Sequence, residues 1–128
     1  MLDPTLKELA QGKNFAAFTT MMASGYPQTS IMWIDADDEF LLINTEIHRA
    51  KYSNVTRDPH VNVVIWDGNN PYRYIEARGD VVGFVTGEDA RRHIDNVSNK
   101  YVGTDYAATI ESERVVLQIL PRRVRLNG

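Results

Sequence analysis

A β-type run extends from Tyr72 to about Val85, long for a strand in a chain of 128 residues, and it is interrupted by Gly79 and Gly83. A strand of that length in a small domain has to bend, and glycines inside strands mark bends or bulges. Shorter β-type runs surround it: Phe15 to Met22, Gln28 to Ile34, Glu39 to Thr45, Val61 to Trp66 and Arg114 to Leu126. Turn signals separate them at Ser24-Gly25-Tyr26-Pro27, at Asp35-Ala36-Asp37-Asp38 and at Asp67-Gly68-Asn69-Asn70-Pro71. The second of these reads as the tip of a hairpin or meander joining the Gln28 and Glu39 runs. About six strands with few helices describe a mainly β fold. Curling such a sheet into a small barrel removes most of its exposed edges.

Helical signals are few. Asp3-Pro4 followed by Leu6, Leu9 and Gly12 spells a capped helix, with Asp at the N-cap, Pro at the first position and Gly past the end. A second helix is expected to run from Thr86, with Asp89 three residues on as in a weak capping box, to about Tyr101 and Gly103. A third, short one follows Glu46 and stops at Asp58-Pro59. No repeat, linker or low-complexity segment divides the chain, so residues 1–128 read as one domain.

Composition narrows the function. A net charge of −3 argues against a general nucleic-acid binder, which needs many cations on one face. The one basic run, Arg122-Arg123-Val124-Arg125, lies in a β-type tail that would send alternate side chains to opposite faces. The chain has no cysteine, which excludes disulfides, thiol nucleophiles and thiolate metal sites. It shows neither a basic-then-apolar leader nor an apolar stretch approaching membrane-spanning length. A soluble protein of the reducing cytoplasm is the expectation.

The segment Leu41 to Ile65 carries the clearest chemical signal. An apolar run ends at Asn44-Thr45, and the short helix that follows has Arg49 and Lys51 near its start. Cations are ordinarily unfavourable there, because a helix N-terminus carries partial positive charge. An anion resolves the conflict: free N–H groups, a planar Arg fork and a Lys point charge make a phosphate cradle. The competing reading sends both side chains into water.

Other chemistries find less support. His48, His60 and His93 have no paired spacing, and the acidic run Asp35 to Glu39 lacks the glycine and ligand spacing of a calcium loop, so no metal site is expected. There is no nucleophile elbow, catalytic triad order or glycine-rich phosphate loop. If the chain is an enzyme, a bound cofactor supplies the chemistry. Trp33 and the group Trp66, Tyr72, Arg73 and Tyr74 read as core or interface, or as walls for a flat ring beside the cradle.

Taken in order, these residues resemble a known family: the split β-barrel flavin- and deazaflavin-binding proteins related to pyridoxamine phosphate oxidase, particularly the small branch that uses coenzyme F-420. The matching pieces are Gln28-Thr29-Ser30 with Met32-Trp33, Ile43-Asn44-Thr45 with Arg49-x-Lys51, Asn54, and Arg57-Asp58-Pro59. Asn70 to Gly79, Lys100-Tyr101-x-Gly103 and Ile119-x-Pro121-x-Arg123-Val124 complete the set, which covers nearly the whole chain. The resemblance implies a homodimer with the cofactor at the subunit interface, its phosphate on Arg49 and Lys51 beside Asn44 and Thr45. The strand Gln28, Thr29, Ser30, Met32, Trp33 would lie along the ring system, and Tyr72 to Tyr74, Arg73 included, would come from the partner. Hydride transfer from reduced F-420 to a small, planar, electron-poor molecule is the implied activity, with Tyr72 or Tyr74 as candidate proton donors. FMN in the same groove is the alternative cofactor. A non-catalytic flavin or haem carrier is another, with His48, His60 or His93 as the available axial ligands. One departure stands out: the Arg-Gly that relatives often carry just before Arg49 is Ile47-His48 here.

Overall fold

The computed structural model describes residues 1–128. Its elements are α1 (Pro4–Gln11), β1 (Phe15–Met21), β2 (Pro27–Trp33), β3 (Asp35–Ala36), β4 (Leu41–Glu46), α2 (Ala50–Arg57), β5 (His60–Asp67), β6 (Asn70–Val85), α3 (Gly87–Val102) and β7 (Arg114–Asn127). The strands form one antiparallel sheet in the order β2-β1-β5-β6-β7-β4-β3. β2 is thus at one edge and β3 at the other, yet only Ile34 separates them in sequence. In a flat sheet of this size the edges would lie about 29 Å apart, at ~4.8 Å per gap. The two steps from Trp33 to Asp35 reach about 7 Å at most. The sheet therefore has to curl until its edges meet, which makes it a split β-barrel.

The sheet's seven strands agree with the expected count of about six, and the mainly β split-barrel fold is as expected. The pairing near the acidic run differs, because Asp35 and Ala36 form β3 instead of a turn. The hairpin partner of β4 is β3, and its other neighbour is β7; β2 does not pair with it. The turn sits two residues later than the acidic run suggests. There Asp37 Oδ1 accepts from Glu39 N at 2.9 Å and from Phe40 N at 2.7 Å.

The seam at Ile34 is closed by the end of α3. Tyr101 Oη accepts from Ile34 N at 3.0 Å and donates to the carbonyl of Asn14. Lys100 Nζ donates to Ala10 O at 3.0 Å and to Ile34 O. Burial pushes the Tyr101 phenol up to about 12 and pulls the Lys100 ammonium down, nearby Asp35 opposing the second shift. The backbone groups of a chain crossing from edge to edge have no strand partner, and these two side chains supply one.

Gly79 and Gly83 stand where the β6–β7 register shifts, so the long strand bends at both. At Gly79 a Cβ would run into the Leu120 carbonyl; at Gly83 it would meet only the Gln118 side chain. Helix α1 is capped as expected, Asp3 Oδ1 accepting from Thr5 N at 2.9 Å and Leu6 N at 3.0 Å. The capping box at Thr86 does not form: Thr86 makes no side-chain cap bond, and Asp89 pairs with Arg92 at 2.9 Å. Gly103, at φ 80°, ends α3. Phe18, Ile43, Ile65, Ile75 and Leu117 are among the residues filling the barrel. Outside it, Ile94, Val97 and Tyr101 of α3 pack against Trp33 and Tyr106.

Candidate functional site

β3 pairs with only Leu41 and Leu42, so the rest of β4 is hydrogen-bonded on one side, to β7. Its free side looks toward β2 across the split. A cavity of about 330 Å³ opens there. Ile31, Met32 and Trp33 of β2 line it opposite Asn44, Thr45 and Glu46 of β4, and Ile94, Val97 and Tyr106 give it an apolar side. Trp33 is fixed by stacking on Tyr101 at 5.1 Å and by an edge contact with Tyr106 at 6.3 Å.

Three cations line the same cavity: Arg49, Lys51 and Arg114. Arg49 is the N-cap of α2 and Lys51 lies in its first turn, which holds no acidic residue. Neither side chain makes an ion pair within 4.0 Å, and neither donates a hydrogen bond to the protein. Burial pulls the Lys51 ammonium below its ordinary value, and the Arg49 charge adds to that. Arg114 is 8% exposed and lies under the Tyr106 ring, 5.0 Å from its centroid. Burial depresses its guanidinium, Tyr106 and Glu46 resist, and Arg49 reinforces the depression. The one carboxylate in the lining is Glu46, 2% exposed. Its Oε1 accepts from Glu111 N and Ser112 N at 2.7 Å each, and Oε2 lies 3.4 Å from Arg114 Nη1. Burial would raise this carboxyl; the two N–H groups with Arg114 and His48 outweigh that and hold it below the ordinary range. Three cations against one fully engaged carboxylate leave the cavity attractive to anions.

Asn44 ties the cavity floor to the seam. Its Nδ2 donates to Ala90 O at 2.9 Å and lies 3.0 Å from His93 Nδ1, and its Oδ1 accepts from Arg114 Nε at 2.8 Å. His93 Nε2 in turn lies 3.0 Å from Asp35 Oδ2.

Met32, Trp33, Asn44, Thr45, Arg49 and Lys51, all expected at the site, are therefore brought together around one cavity. Gln28, Thr29 and Ser30 are farther along β2 and do not line it. Gln28 Oε1 accepts from Asn54 Nδ2 at 3.2 Å, and Thr29 shares a hydrogen bond with Thr19 at 2.8 Å. The Tyr72–Tyr74 segment lies away from it in the same chain: Tyr72 is 80% exposed, and Arg73 pairs with Asp67 at 3.3 Å and Glu8 at 3.4 Å. His48, standing where relatives often have Arg-Gly, turns toward the segment before β7, with Nδ1 2.5 Å from Ser112 Oγ and Nε2 3.4 Å from Glu111. It adds no charge to the cavity wall. His60 sits against Asp58 at 2.6 Å, and no histidine lines the cavity. Arg114, Glu46 and Tyr106 were not foreseen. The signal for Arg114 was present, a single cation heading the apolar run Val115-Val116-Leu117.

Comparison with known proteins points to one family and one fold. The family model described as pyridoxamine 5'-phosphate oxidase matches residues 2–128. A solved structure named as an F420 reductase is 27% identical, with a TM-score of 0.82 over 93% of this chain and 94% of that one. A conserved hypothetical protein from Mycobacterium tuberculosis is 22% identical, with a TM-score of 0.78 over 100% of this chain and 85% of that one. HutZ, the heme storage protein from Vibrio cholerae, shares the fold at 13% identity, with a TM-score of 0.65 over 99% of this chain and 95% of that one. Curated proteins give no match. No helix is long and apolar enough to cross a membrane.

Proposed function

The chain belongs to the pyridoxamine 5'-phosphate oxidase family, and on that premise we propose that it is a cytoplasmic, homodimeric oxidoreductase using coenzyme F-420. The observation that carries the reading is the trio of cations on a largely apolar and aromatic cavity, two of them without any partner in the protein. A cofactor with a phosphate on one end and a flat ring on the other matches that division. Arg49 and Lys51 would take the phosphate, with Thr45 and Asn44 beside it; Met32 and Trp33 would flank the ring. The deazaflavin, when bound, supplies the hydride. What this chain does is hold the ring in one orientation, keep a small, planar, electron-poor substrate against it, and exclude water.

The cavity is at the small end of ligand-site volumes. One protomer therefore encloses only part of such a cofactor, which supports a second copy completing the site. The outer face of the sheet offers it an apolar band. Ile31, Ala17 and Val64 stand in register across β2, β1 and β5, next to the row Phe15, Trp66 and Tyr74. Ile31 is 63% exposed and Phe15 45%. Tyr72, Arg73 and Tyr74 reach the cofactor in this reading only from the partner, where either tyrosine could donate a proton to the reduced product.

FMN is the second reading, because it too joins a tricyclic ring to a phosphate. The haem reading lacks an axial ligand in the cavity, since none of the three histidines lines it. Titrating the ligand-free protein with F-420 and with FMN, followed by ring fluorescence, separates the cofactors. Tight FMN binding without F-420 binding would overturn the choice made here.

A further inference from the structure

Asp35, His93, Asn44 and Arg114 form a file from the barrel seam to the cavity, and the hydrogen-bonding roles along it are forced. Ala90 O can only accept, so the Asn44 amide nitrogen is on its side. Arg114 Nε can only donate, so it requires the Asn44 oxygen. Asn44 thus presents an N–H to His93 Nδ1, which has to meet it with a lone pair. The imidazole is then neutral, with its proton on Nε2 facing Asp35. A protonated ring would set one N–H against another at the Asn44 contact.

We propose that Arg114 is an anion-reading residue of the cavity and that neutral His93, acting through Asn44, is the positioning residue that aims it. Beyond Nε, the Arg114 guanidinium has only peripheral partners: the Tyr106 side chain beside it and Glu46, which Nη1 meets as a 3.4 Å ion pair. Arg114 lines the cavity, and none of its nitrogens is buried without a partner. The groups facing His93 pull in opposite directions. Asp35 on β3 favours a charged ring. The Asn44 N–H on β4, with Arg114 of β7 behind it, opposes one, and Lys100 on α3 tempers Asp35. Proton uptake by His93 therefore breaks its contact with Asn44 and loosens the seat of Arg114, and anion affinity falls with it.

The aiming of Arg114 stands on geometry alone; its service to a ligand rests on the anion site proposed above. The test treats them separately. Nitrogen-15 NMR of the ligand-free protein, from about pH 8 to about pH 5, follows the His93 ring and Arg114 Nε–H. The expected result is the Nε2–H tautomer at high pH and an Arg114 signal that moves and exchanges faster as the ring signals report a second ring proton. In His93→Gln, whose amide can accept from Asn44 and donate to Asp35 without titrating, the Arg114 signal should stay near its high-pH position. An Arg114 signal indifferent to His93, or one that moves equally in the variant, overturns the proposal. The second arm uses sulfate, whose charge is constant across this range. Its affinity for the parent should fall about fivefold or more on acidification and change less than about twofold in His93→Gln. Sulfate binding that is pH-independent in the parent would sink this inference and spare the anion site. No sulfate binding to either protein at any pH would sink both the site and the role of Arg114 in it.

Discussion

At the scale of single residues, the site is defined by charges that the protein itself leaves uncompensated. Arg49 and Lys51 oppose the helix macrodipole and each other, so removing either should leave the ligand-free fold as stable as before or slightly more so. A charge-assisted contact is worth roughly 1.5–3 kcal/mol. Arg49→Ala or Lys51→Ala should therefore weaken cofactor binding about ten- to a hundredfold, read by fluorescence titration. If the double variant binds like the parent, the phosphate assignment fails. Glu46 behaves in the opposite way. Its carboxyl is held below its ordinary value in the fold, so its contribution is fully present above the unfolded value of about 4.3 and is lost as pH falls through the folded one. Glu46→Gln should cost about 2–3 kcal/mol at neutral pH, measured by urea unfolding. That deficit should shrink on acidification below about pH 4, as the parent loses the same charge. A deficit constant down to acid pH would mean that the carboxylate charge does not matter.

Among the elements, β6 shows most directly how sequence became shape. Its length and its two glycines announced a bend, and both glycines stand at register shifts. They differ in what a methyl group would strike. Gly79→Ala meets the Leu120 backbone, which cannot retreat without distorting β7, and should cost roughly 1–3 kcal/mol. Gly83→Ala meets the end of Gln118, a side chain free to rotate, and should cost less than half as much. Equal thermal shifts for the two would contradict this account of the bend. What sequence could not convey was which strands meet. Asp35 to Asp38 carry turn chemistry, yet the turn is a property of Asp37 and the strand partner a property of residues far away. Arg114 escaped notice for the same reason: its place opposite Glu46 comes from the β4–β7 register, across 68 residues. Arg49 and Lys51 were legible because their conflict is local, within one helical turn.

For the molecule as a whole, the outward apolar band and the small cavity both support the proposed second copy. Ile31→Glu puts a charge on a position 63% exposed in one protomer. The protomer should still fold, while sedimentation should shift from a dimer of about 29 kDa toward the 14.5 kDa chain. In the parent, cofactor affinity should fall as dilution dissociates the dimer. A parent that sediments as a monomer at micromolar concentration would remove the interface from the proposal. The strand order has a consequence for how the molecule comes into being. The β3–β4 hairpin has no sheet to join except through β7, the last of these strands to leave the ribosome. Until it emerges, β2 and β1 can pair and β5 and β6 can extend them, but the cavity wall carrying Asn44 and Glu46 has nowhere to dock. The nascent chain therefore carries the β3–β4 hairpin undocked through most of its synthesis, an aggregation hazard that eases when residues 114–127 clear the exit tunnel.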